Sequence, residues 1–309
     1  MDNPRIDIFK ECFQNISIKD LITRIKKYQT LSYSKVISED TLREGLREIF
    51  KTIINGKENS FFLRNDVMTH DNQLYFFYRV RKFSSEDYKA FDSQPFPSMT
   101  KEQDAWWKPE EYSLKHGRLN RPNHSVLYLS SRPSDAIFET KCKIGDFFYL
   151  MVYKNIKPMR MSQIQNIDYM DEFTEIENAK RLIMHNFLLS EFKRIVPPGS
   201  EYLYKSSLLI YEEYFKESHI DGFTYPAIAS NANRGFNICF EKDKAKQNLE
   251  LLGVILCRLS PSNDNYEFVF EQFYDGFLNE TKGFDFFPSM SETAKKKFGI
   301  FTFTRNMGL

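Results

Sequence analysis

Short runs dense in Val, Ile, Phe and Tyr recur from residue 74 onward, each bounded by Gly, Pro, Asn or Asp, and they commit most of the chain to a sheet. The runs cover residues 74–80, 125–130, 146–153, 158–162, 223–225, 236–240, 249–258 and 266–273, with a last one at 300–304. Apolar residues at helical spacing interrupt the series. Phe173, Leu182, Phe187, Leu188 and Phe192 fall on one long amphipathic helix that Pro197-Pro198-Gly199 ends, and residues 208–215 form another. Near the N-terminus, Ile18, Leu21, Ile22 and Ile25 make one helical stripe. Leu42, Leu46, Ile49, Phe50 and Ile53 make a second, stopped by Asn55-Gly56 as a helix end would be. The fold class is therefore α+β: a mixed, mainly antiparallel sheet flanked by helices, with a helical N-terminal addition over residues 1–65 and the main domain over 66–309. Residues 83–112 are polar and proline-bearing, an excursion on the surface with Trp106-Trp107 as packing residues.

Composition narrows the function classes. A chain of 309 residues with 41% hydrophobic and 28% charged residues buries a full core. Its net charge of +1 gives no global attraction to nucleic acid or an anionic membrane. Lys26, Lys27, Arg43 and Arg47 alternate with acids, the pattern of solvated helix faces, so nucleic acid is not an expected partner. No apolar run reaches the roughly 18 residues of a spanning helix, and the N-terminus is charged too early for a signal peptide. Cys12, Cys142, Cys239 and Cys257 are scattered without CxxC spacing, which predicts free thiols in a cytoplasmic protein. No His, Cys or carboxylate cluster has ligand spacing, so no metal is expected.

The chemically specific stretch is Gly117 to Thr140, GRLNRPNHSVLYLSSRPSDAIFET. Arg118 lies before a strand, Tyr128 within it, and Glu139 on the helix that follows, with Ser134 as the expected N-cap and Asp135 in the first turn. Tyr128 follows Arg118 by ten positions, and Glu139 follows by eleven more. Arg79 and Arg81 sit at the end of an apolar strand, the kind of local inconsistency that marks a site. A shorter pattern, Arg64-Asn65 with His70, resembles the ribonuclease motif of HEPN-domain proteins, but it runs into a strand-like segment where that family has a long helix.

Three stretches together resemble the RES domain, a family named for its Arg, Glu and Ser. They are Tyr78-Arg79-Val80-Arg81, the stretch from Arg118 through Tyr128 to Glu139, and Gly222-Phe223-Thr224-Tyr225-Pro226 followed by Gly235-Phe236-Asn237. The resemblance spans about residues 74–252 and implies an ADP-ribosyltransferase-like fold. It also implies a bacterial toxin that destroys NAD⁺ by phosphorolysis or hydrolysis, paired with an Xre-type antitoxin protein. By position it assigns Arg79, Arg118, Tyr128 and Glu139 as catalytic residues. Where the family reads Tyr-Pro-Ser this chain has Tyr225-Pro226-Ala227, with Ser230 as the substitute donor on the same loop.

The chemistry implied is consistent with those residue types. NAD⁺ carries a pyrophosphate, and a guanidinium fork fits its oxygens. Nicotinamide leaves from a positively charged ring, so the demand falls on a carboxylate near the ribose, which Glu139 would supply. Tyr128 would pack against nicotinamide or donate to a phosphate. Arg81, Arg121, Tyr225 and Ser230 complete the expected substrate-binding set. NAD⁺ would be substrate rather than cofactor, with inorganic phosphate as the co-substrate of phosphorolysis. Two alternatives stand beside this reading: ADP-ribosyl transfer to a macromolecular target, and a weakened NAD-binding module, since Ala227 replaces the serine. Self-association is a further expected arrangement. Transferases of the arginine-serine-glutamate type carry a Glu-x-Glu pair, and the pair here, Glu175-Ile176-Glu177, opens the predicted long helix.

Overall fold

The computed structural model describes residues 4–62, 64–70, 73–94, 96–164, 167–227, 235–261 and 269–297. In chain order the elements begin with α1 (Pro4–Gln14), α2 (Ile18–Ser32), α3 (Glu39–Phe50), β1 (Lys51–Ile54), β2 (Lys57–Ser60), β3 (Asn65–Met68), β4 (Phe76–Lys82), α4 (Ser85–Ala90) and α5 (Glu102–Ala105). There follow β5 (Val126–Ser130), α6 (Pro133–Glu139), β6 (Phe147–Asn155), β7 (Arg160–Gln163), α7 (Glu175–Lys193), α8 (Tyr204–Tyr214) and β8 (Gly222–Pro226). The last are β9 (Phe236–Glu241), α9 (Lys242–Asn248), β10 (Leu249–Ser260), β11 (Val269–Leu278), β12 (Phe284–Pro288) and α10 (Glu292–Lys297). The expected strand at 300–304 lies outside the described residues, and the one expected at 266–273 is β11, starting at Val269.

Two compact units share the chain, and neither is contiguous. The first comprises Met1–Val67, Glu110–His124 and Met161–Tyr225; the second comprises Met68–Pro109, Ser125–Arg160 and Pro226–Leu309. The N-terminal helices are therefore not a separate addition ending near residue 65, because their apolar faces pack on helices from much later in the chain.

In the first unit, α2 and α3 pack on each other, α2 packs on α7, and α3 packs on α8. Ser17 caps α2 by accepting from the Asp20 N–H at 3.0 Å, and Ser38 caps α3 by accepting from the Thr41 N–H at 3.1 Å. Helix α3 buries Leu42, Leu46, Ile49 and Phe50 and then stops, so the expected stripe ends one turn early. Ile53 belongs instead to a hairpin in which Lys51 pairs with Ser60 and Ile54 with Lys57. Asn55 and Gly56 both have positive φ, 51° and 72°. Two consecutive left-handed residues make the tight turn that Asn-Gly favours between strands, and β-branched Thr52, Ile53 and Ile54 tip the segment from helix to strand. In the same unit β7 and β8 run parallel, Ser162 opposite Phe223. Helix α7 starts at a capping box: Thr174 accepts from the Glu177 N–H, and the Glu177 carboxylate accepts from the Thr174 N–H at 2.8 Å.

The second unit is built on seven strands in the order β12-β11-β10-β6-β4-β5-β9, every neighbouring pair antiparallel. Helix α6 covers one face, its Ala136 and Ile137 packed with Tyr78, Val80, Phe148, Leu150 and Val152. It starts two residues earlier than expected: Arg132 is the N-cap and Pro133 the first helical residue, so Ser134 lies inside the helix. Proline favours that first position because its missing N–H has no partner there, and it forces the residue before it to be extended. Arg132 accordingly has φ −135° and ψ 147°. Among the described residues, no helix is long and apolar enough to cross a membrane.

Candidate functional site

Strand alternation sorts the expected site residues of the second unit between two faces. Tyr78 lies opposite both Val152 on β6 and Ser130 on β5, and Ser130 lies opposite Asn237 on β9. Antiparallel partners share a face, so Tyr78, Ser130 and Asn237 form one row across the sheet under α6; Tyr128, two residues from Ser130, points the same way. Glu139, the last residue of α6, closes on this row. Its carboxylate accepts from Asn237 Nδ2 at 2.7 Å, and Asn237 Oδ1 accepts from the Ser130 hydroxyl at 2.8 Å. Ser130 and Asn237 are buried, whereas Tyr128 and Glu139 keep partial access to solvent. Burial pushes the Tyr78 hydroxyl up to about 12, so it stays protonated beside the row. A carboxylate at the C-terminal end of a helix faces the wrong end of its dipole, and the amide donor from Asn237 helps offset that.

A second polar pair supports the start of α6. Arg132 donates to both oxygens of Asp135 at 2.8 Å, and Asp135 is completely buried. Gly235 rests directly on this pair: a Cβ there would stand 1.7 Å from Asp135 Oδ2 and 2.9 Å from Arg132 Nε. The glycine is required by close approach, and it carries β9 over α6.

Arg79 and Arg81 project from the opposite face. They lie opposite Met151 and Tyr149, out of step with the Tyr78 row. Arg79 donates to the Ala105 carbonyl at 3.1 Å and Arg81 to the Ser98 carbonyl at 2.8 Å. Tyr153 donates to the same Ala105 carbonyl and Tyr149 to that of Pro97. Burial lowers the Arg79 pKa, with Tyr153 partly compensating. The structure therefore separates Arg79 and Arg81 from Glu139 by the thickness of the sheet. The segment they hold is not a loose surface excursion, since Met99, Ala105 and Trp106 are core residues.

Arg118, Arg121 and Tyr225 belong to the first unit, where protein oxygens engage both arginines. Arg118 donates to the carbonyls of Phe192 and Arg194, at and just beyond the C-terminal end of α7, where helix carbonyls lack intrahelical partners. Its guanidinium also lies 5.2 Å from the Tyr204 ring centre and 5.7 Å from that of Tyr225, which is buried. Arg121 makes a bidentate pair with Glu212, at 2.8 and 2.7 Å, and reaches both oxygens of Glu39 at 3.0 Å. The Glu212 hydrogen bonds, then those from Glu39, push its pKa up. Two carboxylates therefore occupy the fork for which the sequence suggests a phosphate.

Ser230 lies outside the described residues. Ala227, where the resemblance expects a serine, is buried, and its N–H donates to the Gly235 carbonyl at 3.1 Å. The Glu-x-Glu pair is committed to the N-terminus of α7 through Glu177. Arg64 does not share a helix with His70: it precedes β3 and forms a bidentate pair with Asp66 at 2.7 and 2.8 Å. Sequence reading missed Ser130 and Asn237 as site residues. Their signal was there, a polar side chain in each of the apolar runs VLYLS and FNICFE. No family model, no curated protein and no solved structure matches this chain.

Proposed function

We propose that this chain degrades NAD⁺ by breaking the bond between nicotinamide and ribose, as a RES-type toxin with an ADP-ribosyltransferase-like fold. The observation that supports this reading is the Glu139–Asn237–Ser130 chain, which fixes a partly exposed carboxylate on the sheet face that Tyr128 shares. In the reaction the bonding pair leaves with nicotinamide and neutralises its ring nitrogen, while the sugar carbon becomes electron-poor. Glu139 stabilises that developing positive charge or holds a ribose hydroxyl, and Tyr128 packs against the departing ring. Water then adds and loses a proton to give ADP-ribose, or phosphate adds to give its phosphorylated form. The proposal rests on the carboxylate row and not on Arg79 and Arg81, which occupy the other face.

A second reading is an NAD⁺-binding module without turnover. It is favoured by Ala227, which stands where the resemblance expects the serine. One experiment separates these. Purified protein is incubated with NAD⁺, with and without phosphate, and the products are resolved. Free nicotinamide with ADP-ribose means hydrolysis, and with a phosphorylated ADP-ribose means phosphorolysis. Label from NAD⁺ on protein means transfer, and bound but intact NAD⁺ supports the module. Glu139→Gln should lower nicotinamide release at least about tenfold, the scale of one lost transition-state contact. Release unaffected by that substitution would sink the assignment. As a toxin, the chain should halt bacterial growth on expression, and co-expression of an Xre-type antitoxin should restore it.

A further inference from the structure

The first unit contains a cavity of its own, about 330 Å³ in volume and at the lower end of the range in which proteins hold small molecules. Phe9, Phe13, Phe61 and Phe62 form its apolar wall, with Phe13 and Phe61 fully buried and edge-on at 5.9 Å between ring centres. Helix α7 supplies the facing side through Arg181, Met184, His185 and Leu188. These positions lie three, one and three residues apart, which is a single stripe of a helix. An ordinary core stripe would be apolar throughout. This one places a guanidinium and an imidazole one turn apart against four phenylalanines.

Both polar groups are under-used by the protein. His185 Nε2 is shut off from solvent and has no hydrogen-bond partner among the described residues, a state that costs free energy unless something supplies the bond. Burial, and then the charges of Arg181 and Lys193, push the His185 pKa down, so the ring is neutral at neutral pH. Arg181 donates to Asn178 Oδ1 at 2.6 Å and to the Asp168 carbonyl at 3.5 Å, and it lies 5.1 Å from the Phe173 ring centre. Among the described residues no carboxylate stands within ion-pair distance of it, and the charge of Glu172 offsets only part of the lowering of its pKa by burial. The other charges at the rim are balanced or screened: Arg64 is paired with Asp66 and Glu217, and Asp168 is exposed to water.

We propose that this cavity binds a small apolar carboxylate, with its hydrocarbon or aromatic body among the phenylalanines and its carboxylate on Arg181, and that the His185 ring turns on binding to donate to it. The guanidinium fork matches two carboxylate oxygens, and the half-buried setting makes the pairing stronger than a surface ion pair. This site is independent of the NAD⁺ reading, since every residue in it belongs to the first unit.

Calorimetric titration of the full chain with phenylbutyrate, and with phenylbutanol as the uncharged analogue, tests it. The carboxylate should bind one molecule per chain, at least about tenfold more tightly than the alcohol. Arg181→Met should bring the two affinities to within about twofold, and Met184→Trp should abolish binding of both by filling the space. Equal affinities on the unaltered protein, or no binding of phenylbutyrate at millimolar concentration, would overturn the proposal, and that comparison needs no variant to fold. Binding that survives Met184→Trp in a variant with native circular dichroism would also overturn it.

Discussion

Asn237 does two tasks with one side chain, donating to Glu139 from Nδ2 and accepting from Ser130 at Oδ1. Asn237→Ala leaves the buried Ser130 hydroxyl without its acceptor and takes the Nδ2 donor away from the carboxylate, a loss of about 1–3 kcal/mol that urea unfolding would read. Because the carboxylate remains but loses the donor that orients it toward the row, nicotinamide release should fall by about tenfold in a protein that still folds. An Asn237→Ala variant of full activity would show that the row is structural only. Gly235 is tested by size alone. Gly235→Ala drives a methyl into Asp135 and should break its pair with Arg132, at a cost on the order of 3 kcal/mol in thermal or urea melts. A change under about 0.5 kcal/mol, the level of an ordinary surface substitution, would mean that β9 shifts freely over α6.

At the level of elements, two arginines on an apolar strand have a physical account that does not involve a ligand. The segment between β4 and β5 carries irregular backbone into the core, with Phe96 and Ser98 at φ 61° and 55°. Its buried carbonyls need donors that no regular ladder offers. Arg79, Arg81, Tyr149 and Tyr153 rise from one face of β4 and β6 and supply them at Pro97, Ser98 and Ala105. Arg79→Met and Arg81→Met should therefore loosen this segment. Amide exchange should quicken through residues 96–107, and stability should drop by about 1.5–3 kcal/mol per variant, the range for hydrogen bonds with one charged partner. Nicotinamide release should change less than in Glu139→Gln. A selective loss of activity with unchanged exchange would return these arginines to the substrate.

At the scale of the whole molecule, acid should weaken the first unit before it affects most carboxylates. His116 and His185 both have pKa values lowered, each chiefly by burial, with Lys205 and Arg121 adding to the shift at His116 and Arg181 and Lys193 at His185. Glu39 and Glu212 oppose the shift at His116 without cancelling it. Unfolded, each ring takes up a proton near the ordinary value of about 6.5, whereas in the fold it resists until lower pH. The unfolded state thus binds more protons in that window, and stability falls as pH drops from about 6.5 through the folded values. Thermal melts from neutral to mildly acidic pH should show the loss, and His116→Gln with His185→Gln should flatten it. An unchanged slope in the double variant would assign the loss to other groups.

Much of the fold was legible from local pattern. The strand-like runs became β4, β5, β6, β8, β9 and β10, and the spacing of Phe187, Leu188 and Phe192 marked α7, because alternation and helical periodicity are properties of neighbouring residues. Asn55-Gly56 was misread since the same dipeptide ends a helix or turns a hairpin, and only the pairing of Lys51 with Ser60 decides which. The face each residue occupies was not legible either. Sequence alone places Tyr78 and Arg79 on opposite sides of a strand, but it cannot say which side meets α6. That choice is made by contacts between segments far apart in the chain, Tyr78 with Ser130, Ser130 with Asn237, and Arg79 with Ala105. The sequence by itself determined the kinds of element and the presence of an arginine, a tyrosine and a glutamate at suggestive spacing. Tertiary structure alone decided that the glutamate joins an asparagine and a serine while Arg79 and Arg81 turn away, because register across a sheet is set by non-local packing.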